Sequence, residues 1–192
     1  MDKITTQTSD EDLVLKTLEN QDFFSYIIDR YQGKLLNYIL RISNFHINDA
    51  EDILQDIFIK VYRNLNDFDQ NLKFSSWIYR IAHNQVISQF RRAKARPEIV
   101  LDLENDILNN IADDIDFGKN IDRDILSQKI SQVLQELDAK YRNVLILKFI
   151  EEKSYQEISD IIKKPMGSVA TLINRAKKQL KRKLETNLES YV

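Results

Sequence analysis

The stretch SYQEISDIIKKPMGSVATLINRAKKQLKRKL, from Ser154 to Leu184, constrains this chain more than any other part of it. Ser154 and Glu157 stand at capping-box spacing. The hydroxyl and the carboxylate can each satisfy a backbone N–H orphaned at a helix start, so a helix is expected from about Tyr155. Ile158, Ile161 and Ile162 form its apolar face. Lys163 and Lys164 then give way to Pro165, a residue favoured at the first helical position, and to Gly167, which would let another backbone pack closely. A second helix is expected from about Met166.

Along that second helix Val169, Ile173, Ala176, Leu180 and Leu184 recur at three- and four-residue steps and therefore share one face. Thr171, Asn174, Arg175, Lys178, Lys181 and Arg182 turn to the other. From Lys140 to Lys183 the chain carries twelve Lys/Arg against four Asp/Glu, a net of +8, a density suited to phosphate neutralisation by counterion release. Charge alone fits a helix kept basic for solubility. Charge together with a capping box, a Pro/Gly turn and a long amphipathic helix, in that order, points to a DNA-binding helix-turn-helix.

The remaining composition excludes several classes of function. There is no Cys and there are two His, His46 and His83, which removes disulfides, thiol redox chemistry and the ordinary zinc sites. Three isolated glycines, Gly33, Gly118 and Gly167, cannot build a P-loop or a dinucleotide-binding loop. No cofactor and no metal are expected. The start, MDKITTQTSDED, is polar and acidic, and no apolar run approaches a membrane span or signal-peptide core. Neither export nor membrane insertion is expected, and a cytoplasmic location is. At 192 residues the chain has room for one or two domains.

The net charge of −2 conceals an asymmetry: Glu98 to Asp124 holds nine Asp/Glu with only Lys119 and Arg123. The stretch follows Pro97, lacks sustained apolar periodicity and contains Gly118, so it reads as a flexible acidic linker between helical units. Two roles stay open for it, a solvated spacer and a mimic of nucleic acid inside a basic channel of a partner.

Helical spacing governs the N-terminal half. Phe24, Ile27, Ile28, Tyr31, Leu35, Ile39 and Ile42 make one apolar stripe; Ala50, Ile53, Leu54, Ile57, Phe58, Val61 and Leu65 make a second. The second helix is expected to open at Asn48, with Glu51 completing a capping box, and Asp49, Asp52, Gln55 and Asp56 lie off its stripe. Taken alone, that polar face is an ordinary solvated surface. A third segment, KFSSWIYRIAHNQVISQFRR, is expected to be helical from Ser75 or Ser76, with Trp77, Ile78, Ile81, Ala82 and Val86 as its core stripe. Arg80, His83, Asn84, Ser88, Arg91 and Arg92 remain for solvent or a ligand. The preceding loop, Asn66 to Ser75, carries amides and carboxylates that could hydrogen-bond unstacked bases, a combination suited to single-stranded nucleic acid.

Taken in order, FFSYIIDRYQGKLLNYILRIS, DAEDILQDIFIKVYRNL, FSSWIYRIAHNQVISQFRR, the acidic stretch and YRNVLILKFIEEKSYQEISDIIKKPMGSVATLINRAKKQL resemble an extracytoplasmic-function (ECF) sigma factor of bacterial RNA polymerase. The resemblance runs from about Asp10 to Leu184. It implies an all-α chain of two small helical domains, 10–93 and 125–187, joined by the linker 94–124, the second domain a helix-turn-helix. It implies no enzymatic activity, and as partners core RNA polymerase, promoter DNA both as duplex and as melted single strand, and an anti-sigma factor. Asp49, Asp52, Gln55 and Asp56 fall at the polymerase-docking positions. Phe74, Trp77, Arg80, His83, Asn84, Arg91 and Arg92 fall on the surface for the melted minus-ten element. Lys164, Ser168, Thr171, Asn174, Arg175, Lys178, Lys181 and Arg182 fall on the surface for the minus-thirty-five duplex.

Three departures from the family pattern bear on these expectations. Ala170 and Leu172 replace a Lys and an Arg of the recognition helix, which implies a weaker or differently specified duplex contact. Lys163 and Lys164 replace the usual Gly and Ile before the Pro, and Ser88 replaces a common Asp. The alternative to a sigma factor is a free-standing helix-turn-helix regulator, which needs neither the acidic DAEDILQD face nor the aromatic-basic third helix.

Overall fold

The computed structural model describes residues 8–43, 45–92, 111 and 123–189. The acidic stretch therefore lies almost wholly outside the described residues. Among those described, every regular element is helical: α1 (Asp10–Glu19), α2 (Phe24–Ile42), α3 (Ile47–Arg63), α4 (Phe74–Arg92), α5 (Arg123–Glu136), α6 (Ala139–Leu145), α7 (Tyr155–Ile162) and α8 (Met166–Glu189). The chain forms two compact units, the bulk of one running to Ala95 and the bulk of the other from Arg96 onward.

In the first unit most of the two expected stripes becomes the core, while Phe24, Ile28 and Leu54 are half-buried. Ile27, Tyr31, Leu35 and Ile39 of α2 are buried with Ala50, Ile53, Ile57, Phe58 and Val61 of α3, and Ile42 at the end of α2 is buried as well. Ile78, Ala82 and Val86 of α4 complete the interior, while Ile81 is half-buried. Aromatic rings join the helices. Phe74 meets Tyr31 edge-on with centroids 5.7 Å apart and Phe68 edge-on at 5.4 Å, and Tyr38 lies 5.1 Å from Tyr79. Such tilted and edge-on pairs suit the ring quadrupoles.

Helix α1, which no sequence signal above assigns, is capped by Ser9, whose hydroxyl accepts the Asp12 N–H at 3.0 Å. Asp10 fastens it to α2: Arg30 donates to its Oδ1 at 2.6 Å, and the Tyr31 hydroxyl donates to its Oδ2. Burial, then the Asp10 carboxylate, hold the Tyr31 phenol protonated well above the usual range.

Two helix starts differ from expectation. Helix α3 begins at Ile47 with His46 as its cap and no side-chain capping bond, so the capping box expected of Asn48 and Glu51 does not form. Phe45, stacked on Phe90 at 5.0 Å, leads the chain into the helix ahead of Asn48, and the Ala50 N–H already donates to His46 O. Helix α4 begins at Phe74, a residue or two early, because its first N–H donates to the Glu11 carboxylate at 2.9 Å.

In the second unit α8 packs along α6 and α5. Val169, Ile173, Ala176, Leu180 and Leu184 are all buried, as are Ile130, Val133 and Leu134 of α5. Helix α6 runs into a wide turn over Ile146–Ile150, where the Glu151 N–H reaches back five residues to Ile146 O at 2.9 Å. The Ser154–Glu157 capping box forms in full. Its helix ends on Lys163 in the left-handed region, φ 53° and ψ 51°.

Pro165 stands just outside α8 rather than at its first position: its carbonyl accepts the N–H groups of Ser168 and Val169 at 2.8 and 3.0 Å. Gly167 does not serve a close helix–helix approach. A β-carbon placed there would meet nothing within 4 Å.

Candidate functional site

Helix α3 presents its polar face as the sequence places it. Burial of Ala50, Ile53, Ile57 and Val61 fixes the rotation of the helix and turns Asp49, Asp52, Gln55 and Asp56 to the exposed side. Ile59 and Tyr62 continue this outward row and are 48 % and 40 % exposed. Sequence reasoning missed them, although the position of Ile59 off the apolar stripe was a usable signal.

Helix α4 divides the residues assigned to single-strand binding. Asn84 and Arg91 are exposed and Arg80 is half-buried. Phe74 and Trp77 are not surface groups: Phe74 is fully buried and Trp77 is 6 % exposed. They pack against Phe68 at 5.4 and 5.5 Å and act as the floor under the loop that precedes the helix. Their assignment as direct contacts gives way to support, since a buried ring has no face to offer a base.

His83 is half-buried, and desolvation pulls its pKa down to about 4. It enters this face as a neutral imidazole, able to hydrogen-bond but not to pair with phosphate as a cation. The side chain of Arg92 lies outside the described residues. The loop is locally tied by Asp69, whose Oδ1 accepts from the N–H and the side-chain amide of Asn71 at 3.0 and 2.9 Å.

On α8 the expected duplex-facing set comes together on one side of one helix and the turn before it. Lys164, Ser168, Thr171, Asn174, Arg175, Lys178 and Arg182 are exposed, while Lys181 is half-buried. The Thr171 hydroxyl donates to its own helix at Gly167 O, 2.9 Å away, so towards a ligand it acts only as an acceptor. Ser159 braces the turn: its hydroxyl donates to Lys164 O at 2.6 Å, and its carbonyl accepts the Lys164 N–H at 3.3 Å. Lys183 is drawn away from the basic face by a 3.0 Å ion pair with Glu136 of α5. Ala170 and Leu172 are half-buried at the positions where the family pattern carries charge. Among the described residues no group of His, Asp or Glu is arranged to hold a metal ion.

Comparison with known proteins assigns the chain. The model of sigma-70 region 2 matches residues 27–96, and that of sigma-70 region 4 matches residues 127–180. The ECF RNA polymerase sigma factor SigW of Bacillus subtilis is 36 % identical over 172 residues, covering 86 % of this chain and 90 % of that protein. The ECF RNA polymerase sigma-E factor of Escherichia coli K12 is 28 % identical over 191 residues, covering 95 % and 97 %. Among solved structures, CnrH in complex with the cytosolic domain of CnrY superposes with a TM-score of 0.65 at 22 % identity, covering 93 % of this chain and 99 % of that one. The sigma factor RpoE of Bartonella quintana, in complex with the anti-sigma factor NepR, gives 0.61 at 21 %, covering 84 % and 96 %. These two share the fold. By the two regions matched in order and by its likeness to SigW over most of both chains, the chain belongs to the ECF sigma factors of bacterial RNA polymerase.

Proposed function

We propose that three exposed surfaces divide the work of this sigma factor, which binds core RNA polymerase, directs it to specific promoters and helps melt them for initiation. Asp49, Asp52, Gln55 and Asp56 of α3 dock on core polymerase, with Ile59 and Tyr62 extending the footprint. Asn84, Arg80 and Arg91 of α4, together with the loop before it, hold the melted strand of the minus-ten element. Thr171, Asn174 and Arg175 of α8 read the minus-thirty-five duplex, while Lys164, Lys178 and Arg182 neutralise its phosphates. The functional domains are 10–93 and 125–187, with 94–124 linking them. Bond-making chemistry stays with polymerase, and the chain works in the cytoplasm. No described helix is long and apolar enough to cross a membrane.

The observation that carries the docking assignment is the α3 face. Four polar side chains in one row stay exposed on a helix whose opposite face is fully used by the core. A second, regulatory partner fits the same reading: RpoE of Bartonella quintana has been solved with an anti-sigma factor bound, and we extend that class of partner to this chain.

The test is charge reversal. Asp52→Lys with Asp56→Lys should abolish co-purification with core polymerase while leaving helicity near that of the parent, since neither side chain lies in the core; the melting temperature should fall modestly, because Asp56 accepts a bond from the buried Gln85 amide of α4. Undiminished core binding by a folded double variant would remove the assignment.

A further inference from the structure

Resting on the reading of α3 as the docking face, we infer that Gln85 is a positioning residue for polymerase binding, holding the docking carboxylate of Asp56 in place from the neighbouring helix. Gln85 lies on α4 and is 6 % exposed. Its Nε2 donates to Asp56 Oδ2 at 3.0 Å, and its Oε1 accepts from the Lys60 ammonium. Asp56 and Lys60 are one turn apart on α3 and both exposed.

Only a neutral amide of this length satisfies both neighbours. A carboxylate takes donors and an ammonium gives them, so the amide must present its N–H₂ to Asp56 and its oxygen to Lys60. A Glu at this position would keep Lys60 and repel Asp56. An apolar side chain would keep the packing and release both.

The arrangement also inverts the usual relation between core and surface. A buried amide must find partners, and here the partners are two side chains that solvent would otherwise leave free to rotate. Asp56 is therefore held in one rotamer before polymerase arrives. Fixing a docking side chain in advance removes an ordering cost from association, worth about three- to tenfold in affinity for one such group. The second acceptor oxygen of Asp56, Oδ1, has no part in the bond to Gln85 and remains for a donor on the polymerase.

A double-mutant cycle on the full chain tests this, with affinity for core polymerase read by competition against a labelled parent protein. Gln85→Met should weaken core binding about three- to tenfold, and Gln85→Glu at least as much. In an Asp56→Ala background the Gln85→Met change should add less than about twofold, because there is no carboxylate left to position. A packing role would lower affinity to the same extent with or without Asp56, so additive losses overturn the inference, as does undiminished binding by folded Gln85→Met. Should Gln85→Met fail to fold, Gln85→Glu carries the same cycle. If Asp56→Ala alone leaves core binding intact, the docking reading fails first, and that outcome is distinct from a failure at Gln85.

Discussion

The Glu11 carboxylate accepts the backbone N–H of Phe74 at 2.9 Å, capping α4 from a position 63 residues earlier in the chain. The bond satisfies an orphan donor and sets a negative charge at the positive end of the helix dipole. Glu11→Ala should destabilise the chain by about 0.5–2 kcal/mol, and Glu11→Gln by less, since an amide oxygen still accepts. Thermal denaturation of the two variants checks the order. Equal losses would show that Glu11 acts through something other than the cap.

Asn84 is the exposed amide of α4 and the group best placed to hydrogen-bond an unstacked base. Asn84→Ala should slow open-complex formation on a duplex promoter while leaving core affinity within about twofold of the parent. A pre-melted promoter should recover part of the loss. Equal losses in core binding and in melting would remove Asn84 from base contact.

The two halves of α8 should fail differently. Arg175→Ala should cost about 1–3 kcal/mol on the cognate upstream element if the side chain meets a guanine, and little on a scrambled one. Lys181 is half-buried, so the phosphate assignment is better probed at Arg182, which is exposed. Arg182→Ala should weaken both DNAs alike and reduce the salt slope by about one unit. Titrations at several salt concentrations separate the two.

Lys163 holds φ 53°, a conformation that disfavours a β-carbon and that glycine adopts freely. Lys163→Gly should therefore stabilise the chain by about 0.5–1 kcal/mol, the relief of strain being partly offset by the greater freedom of glycine in the unfolded chain. The same change removes an exposed positive charge from the turn before α8, so duplex affinity should fall as stability rises. Opposite signs in denaturation and DNA binding are the expected result. A variant improved in both would show that the charge contributes nothing to DNA.

His83 gives the first unit an acid sensitivity. Desolvation keeps the folded imidazole neutral down to about pH 4, against 6.5 for the unfolded chain. Stability is therefore complete above pH 6.5 and falls as pH drops from 6.5 towards 4, by up to about 3 kcal/mol. His83→Gln should flatten the fall between pH 7 and pH 4. An unchanged slope would assign the acid loss to other groups.

What could be read from the sequence and what could not follows a physical division. Apolar stripes and caps between near neighbours are local properties, so the core of α2 and α3, the Ser154–Glu157 box, the buried face of α8 and the outward turn of Asp52 and Asp56 were all legible. Interactions between distant positions were not. Nothing near Phe74 announces that Glu11 will cap it, and without that cap a start at Ser75 or Ser76 is the natural reading. The apolar spacing already put Trp77 in the core and only the family resemblance moved it, with Phe74, to the single-strand surface; that Phe68 and Tyr31 enclose the two rings is a contact between distant positions. Asn48 offers a sound local cap that loses to the packing of Phe45 on Phe90. Gln85 sits three residues after Ala82, beside the core stripe. Its placement there was visible, but its bond to Asp56 was not.

The brace between Ser159 and Lys164 has a kinetic consequence. Two bonds across one turn, one from a side chain and one from the backbone, close the joint between α7 and α8 before any DNA is met. If α8 meets the upstream duplex as proposed, association should need no folding of this turn, and its rate should be set by diffusion and by the attraction of a basic face for a polyanion. The heat-capacity change on binding should correspond to the apolar area covered at the contact alone, without the larger signature of a segment ordering as it docks. Promoters that differ only in this element would then be told apart by how long the complex lasts, not by how often it forms.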